Sequence, residues 1–189
     1  MAGYTRTIIV VAIIALCGGV AASDLRVETW HGLLGFFEWM ETTWFGHIGK
    51  TWGAAFAVVE AFHLLGLALL GGAVLVADGR LLNLWFTDLP CQQVQADSHR
   101  IFFIGLIILL ATGIFMACGV AMKIYYLPVF WYKMLALATG IAFVYGVRRP
   151  LINTDIDTVN PWVLRAVAIS SIMVWFTVAA TGRWIGFSG

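Results

Sequence analysis

Only a handful of side chains in this 189-residue sequence could do acid, base or metal chemistry within apolar surroundings. His63 is the one histidine of four set deep in an apolar run, and Glu60 precedes it by three residues. On a helix that spacing puts both on one face. Imidazole suits haem iron and copper, and a ligating ring must be oriented through its other nitrogen. His63 is therefore the candidate metal ligand, with Glu60 or Lys133 as second ligand or hydrogen-bonding neighbour. Lys133 starts a later apolar run, and its flexible stem can snorkel outward or turn toward Glu60. Arg183 lies near the end of the last run, on one stripe with Ile172, Phe176 and Ala180. Glu60, His63, Lys133 and Arg183 are expected to converge, with nearly balanced charge, as a cofactor-binding group. The plainer alternative makes Lys133 and Arg183 interfacial anchors and the Glu60/His63 pair a buried contact that orders the bundle.

Other chemistry has less support. Di-iron bundles need a second E-x-x-H, and none exists. Met116, Cys118 and Met122 form a soft-sulfur group suited to Cu(I), although both residue types also serve as apolar filler. His99 heads a different run at the opposite interface, and His31 and His47 precede the run carrying His63. A haem would thus use His63 alone, or with Lys133 or a methionine. No P-loop, G-x-S-x-G or dinucleotide fingerprint occurs, so whether the chain is an enzyme stays open.

These residues need a frame, and composition dictates which. The chain is 61% hydrophobic with Lys+Arg 11 and Asp+Glu 10, and its mean hydropathy is +0.92. A soluble domain is about a quarter charged, so the solvent here is lipid. Apolar runs at residues 8–22, 51–77, 101–120, 129–147 and 162–187 predict an all-α transmembrane bundle of five spans, an N-terminal helix (1–22) plus a four-helix core (51–189). The stretch 20–23 can also be read as a signal peptidase site. At 1.5 Å per residue His63 falls about 18 Å into its span, near the midplane. Between the first two spans (23–50), Leu33, Phe36, Phe37, Met40, Trp44 and Ile48 recur at helical spacing and predict an amphipathic interfacial helix. Most tryptophans fall near that surface, as an aromatic belt would.

The arginines flanking the spans favour a cytoplasmic N-terminus and a periplasmic C-terminus in a bacterial inner membrane. With net charge +1 and no basic patch, nucleic acid is not an expected partner. Three scattered cysteines form neither a C-x-x-C pair nor a disulfide framework.

The stretch Glu60-Ala61-Phe62-His63-Leu64-Leu65-Gly66-Leu67-Ala68-Leu69-Leu70-Gly71-Gly72, with Asp78-Gly79-Arg80, Lys133-Met134-Leu135 and Ala180-Thr181-Gly182-Arg183-Trp184, resembles a bacterial family of multi-pass inner-membrane proteins without a settled activity. The chain departs from that pattern at Gly79 and at Arg148-Arg149. More distantly, His63 on an early span and Lys133 on a later one look like the arrangement in HemJ-type protoporphyrinogen oxidases and CopD-like copper-resistance domains. That resemblance implies haem or copper chemistry in a small helical bundle. The expectation is a membrane protein binding haem b through His63, serving electron transfer or anchoring a membrane or periplasmic redox partner, with oligomerisation possible. Its rivals are a copper-handling protein and a cofactor-free subunit of a larger complex.

Overall fold

The computed structural model describes residues 31–153, 156 and 159–188, together with Ala12, Ala15 and Gly19. The expected first span, 8–22, with its signal-peptide alternative, lies outside the described residues apart from those three positions. What the described residues form is a four-helix membrane bundle, every helix long and apolar enough to cross a bilayer.

Two short helices come first, α1 (Leu34–Thr42) and α2 (Trp44–Thr51). The spans are α3 (Gly53–Leu81), α4 (Cys91–Gly119), a composite third span over Pro128–Ile152, and α8 (Pro161–Ile185). A five-residue helix, α5 (Ala121–Tyr125), links α4 to the third span. That third span is α6 (Pro128–Phe143), a π-helical turn at Val144–Arg148, and α7 (Arg149–Ile152). Two of the starts follow proline chemistry, because Pro at the first helical position loses no hydrogen bond. Pro128 and Pro161 occupy such positions, and Asn160 caps α8 by accepting from the Trp162 N–H at 3.0 Å.

The spans carry apolar side chains all round. Phe62, Leu64, Leu65, Ile104, Ile107, Met173 and Phe176 are exposed on the outside, which is how a helix facing lipid on one side and protein on the other reads. With no hydrophobic drive between helices in lipid, close packing must come from small residues. α3 and α4 make the most extensive helix pair, and they cross at Gly66 and Gly105. A Cβ on Gly105 would stand 2.8 Å from the Leu70 backbone nitrogen and 3.0 Å from the Gly66 carbonyl oxygen. Gly105→Val should therefore force the crossing apart and cost about 1–3 kcal/mol, read as a lowered unfolding midpoint in detergent. Gly71, around which a Cβ meets open space, should tolerate alanine.

The amphipathic segment differs from expectation in one respect. Thr43 breaks it into two helices, its backbone extended and its hydroxyl accepting from the Gly46 N–H at 3.2 Å. Phe37 and Met40 of the expected stripe are buried, whereas Phe36 and Trp44 are exposed. α2 lies against α4 through Gly49 and Gly119, where a Cβ on Gly49 would come within 2.7 Å of the Gly119 Cα. A cluster of Phe37, Met40, Cys118, Ala121, Ile124 and Tyr125 seals this end. Lys50 donates to Glu41, whose second oxygen accepts from the Met122 N–H at 3.2 Å. Those bonds, Lys50 first, hold the Glu41 carboxyl below its ordinary range. A lowered folded-state value means the clamp contributes at neutral pH and is lost only as pH falls through that value. Limited proteolysis after residue 50 should accordingly accelerate in acid, and Glu41→Gln should abolish that pH dependence.

At the opposite end the loop is shorter than the punctuation suggested. Residues 91–100, expected to be connection, form the first turns of α4, leaving only residues 82–90 outside helices. Arg80 staples that loop, its Nε and Nη2 donating to the Leu89 carbonyl and its Nη1 to Asn83. Gly79 is required here, since a Cβ would meet the Trp85 ring at 2.5 Å.

Candidate functional site

α3 positions His63 ten residues after Gly53, about 15 Å along the helix, half-buried against α4. Two residues of α4 receive it. Gly113 leaves room for the ring, because a Cβ there would stand 3.4 Å from His63 Cε1. Thr112 supplies the polar partner, with its Oγ1 2.8 Å from His63 Nδ1. The direction of that bond follows from the hydroxyl's other bond. Thr112 Oγ1 donates its single proton to the Ile108 carbonyl at 2.6 Å, so toward the ring it can only accept. Nδ1 therefore carries the imidazole proton, and Nε2 is left with its lone pair. This is the tautomer and the orienting bond that a ligating imidazole requires.

Lys133 joins His63 from the third span. Its charge acts on the imidazole, and its stem lies over Gly182 of α8, where a Cβ would meet both Cε and Nζ at 3.4 Å. The other expected members stand apart. Glu60 is exposed on α3, and the ion pairs among the described residues join Glu41 to Lys50, Asp97 to Arg100 and Asp78 to Arg148. The expected Glu60–Lys133 pair is thus not formed. Residues three apart share a face only to within about 60°, and here the helix contact falls between them, with His63 inside and Glu60 outside. Arg183 is exposed too, its guanidinium stacked over Phe187 at 4.6 Å, so it caps the helix end rather than joining His63. Of the sulfur group, Cys118 is buried in the apolar cluster beneath α1, and Met122 packs against the same cluster. There they fill space as other apolar side chains do.

A second polar group, which sequence reasoning missed, occupies the opposite end of the bundle. Asp78 is fully buried, with Arg148 Nη2 3.1 Å from its Oδ1. Arg148 Nη2 also donates to Gln95 Oε1 at 3.0 Å, and Gln95 Nε2 donates to the Ala77 carbonyl at 2.6 Å. Ser171 of α8, fully buried, lies beside the carboxylate. The contact between Asp78 and Arg148 is an ion pair without hydrogen-bond alignment, since neither Asp78 oxygen has a hydrogen-bond partner among the described residues. The π-helical turn sets this up. One wide turn ending at Arg148 alters the register of the third span, and such bulges recur at functional sites. Three spans and the π turn thus meet around one buried charge pair.

Among the described residues no group of three or more His, Cys, Asp or Glu side chains gathers to hold a metal ion. A metal held wholly by such protein donors lacks its ligand set here. A haem brings four nitrogen donors of its own and asks the protein for one or two, which is what His63 can offer. No curated protein and no solved structure matches the chain. Residues 36–188, the four spans together with α2 and most of α1, match the model of a family of unknown function, DUF6644, and the chain belongs to that family.

Proposed function

We propose that this multi-pass membrane protein binds haem b through His63 and serves one-electron transfer, directly or as the membrane anchor of a redox partner. One observation carries the reading: the Thr112 hydroxyl, committed to the Ile108 carbonyl, accepts from His63 Nδ1 and leaves Nε2 with its lone pair. A resemblance to HemJ-type and CopD-like domains, read from His63 and Lys133 in the sequence alone, points the same way. Lys133 is the neighbouring amine, which could serve as second ligand once deprotonated or, protonated, as partner to a propionate. The haem would supply a reversible one-electron couple. His63 would hold it, and Thr112 would orient the ligating ring. The test is acid extraction and quantification of haem from protein purified in mild detergent, with metal analysis alongside. About one haem per chain supports the reading. Copper in its place favours the copper alternative, and neither metal nor haem favours a structural subunit.

We further propose that the protein resides in a bacterial inner membrane with its N-terminus cytoplasmic. Arg80, Arg100, Arg148, Arg149 and Arg165 then lie at the cytoplasmic end, and the α1–α2 end faces the periplasm. Cys91, at the start of α4 and partly exposed, should resist a membrane-impermeant thiol reagent in intact cells and react after permeabilisation. The experiment uses a Cys17→Ser background. Labelling of Cys91 in intact cells would reverse the orientation.

A further inference from the structure

The end of the bundle away from His63 holds a cavity of about 480 Å³ whose polar side is formed by Gln95, His99, Arg148, Arg149 and Asn153, with Arg100 at its edge. We propose that this cavity binds a phosphate oxyanion, supplied by the headgroup of an anionic phospholipid.

Charge makes the first argument. Three arginines and a histidine line the cavity, and among the described residues that line it there is no aspartate or glutamate. Asp97 reaches Arg100 only at 3.8 Å, between two exposed side chains. Asp78 stands behind Arg148. Arg148 itself makes the second argument. It is 7% exposed yet lines the cavity, so the protein has placed a desolvated guanidinium where a ligand can reach it. Among the described residues its protein contacts, to Asp78 and Gln95, run through Nη2. Its Nε and Nη1 N–H groups are uncommitted by those bonds, and each can give a charge-assisted hydrogen bond to a phosphate oxygen. Asp78 and Gln95 then act as positioning residues that hold the guanidinium from behind.

The flanking side chains are similarly ordered. The Arg149 guanidinium lies over the Tyr145 ring at 5.8 Å, and the His99 ring packs between Phe102 and Tyr145 at 6.1 and 5.9 Å. The location favours a lipid source over a free phosphate. Arg148 is four residues from the end of the third span, at headgroup depth, and Phe102, Val144 and Ile152 give the cavity an apolar side beside the polar one. Basic pockets between spans are where anionic headgroups are recognised.

The test uses the full chain, delipidated in mild detergent and reconstituted in phosphatidylcholine vesicles with or without phosphatidylglycerol, with inorganic phosphate titrated separately in detergent. Phosphatidylglycerol should raise the unfolding midpoint and survive into native mass spectra at about one per chain. Arg149→Gln and Asn153→Leu, which leave the buried pair intact, should each weaken that retention about tenfold. Arg165→Gln serves as the charge control, because Arg165 lies outside this cavity, stacked on Trp162 at 5.1 Å. If Arg165→Gln weakens retention as much as Arg149→Gln, the effect is general surface charge and the site is overturned. Protection by inorganic phosphate that phosphatidylglycerol does not exceed would keep the oxyanion chemistry and overturn the lipid source. No protection by either overturns the proposal.

Discussion

Arg148→Leu should destabilise the bundle by about 3–5 kcal/mol, because it leaves Asp78 as an uncompensated carboxylate in a fully buried site. No second positive charge is paired with Asp78 among the described residues: neither of its oxygens is hydrogen-bonded there, and the Ser171 hydroxyl beside it is neutral. Combining Arg148→Leu with Asp78→Asn removes the orphaned charge, so the double variant should recover most of the stability. The measurement is the denaturant midpoint in a fixed detergent, analysed as a double-mutant cycle. Strictly additive losses would show that the 3.1 Å pair carries no coupling. An apolar replacement of both partners would fit as well, and a guanidinium at the edge of a cavity is useful only if something holds it there.

Much of the frame was legible in the sequence, because a bilayer imposes one rule on every residue at once. Apolar runs of the right length must be spans, and four of the expected five appear within one to ten residues of their predicted starts. The ten-residue shortfall in the loop before α4 has a physical origin: Gln92, Gln93, Asp97 and Arg100 look like connection by hydropathy, yet Val94, Gln95, Ser98 and Phe102 form a buried stripe that hydropathy averages away. The candidate site was half legible. His63 stood out as an imidazole at depth, and Thr112 carried a signal of its own, as the sole hydroxyl in an otherwise apolar stretch from Ile101 to Ala117. Which partner each residue meets was not legible. Glu60 and His63 share a face too loosely for spacing to say which turns inward. Asp78, Gln95 and Arg148 come from three helices, and the π turn that brings Arg148 to the other two has no marker in residue type.

The second large effect concerns His63. His63→Ala should remove bound haem while leaving the protein in the membrane, since α3 keeps its apolar length. Thr112→Val should have a graded effect. It keeps the volume and deletes the acceptor that holds the Nδ1 proton, so haem should be retained more weakly, by the 10–100-fold typical of losing an orienting partner. His99→Ala, at the far end of the bundle, should leave haem content unchanged.

The most direct measurement is the dithionite-reduced minus oxidised absorption spectrum of the wild type and His63→Ala, purified in mild detergent at equal protein concentration. The account predicts a Soret band with b-type α and β bands in the wild type and their absence in His63→Ala. A wild type without a Soret band, or a His63→Ala spectrum indistinguishable from it, would contradict the assignment of His63 as a haem ligand.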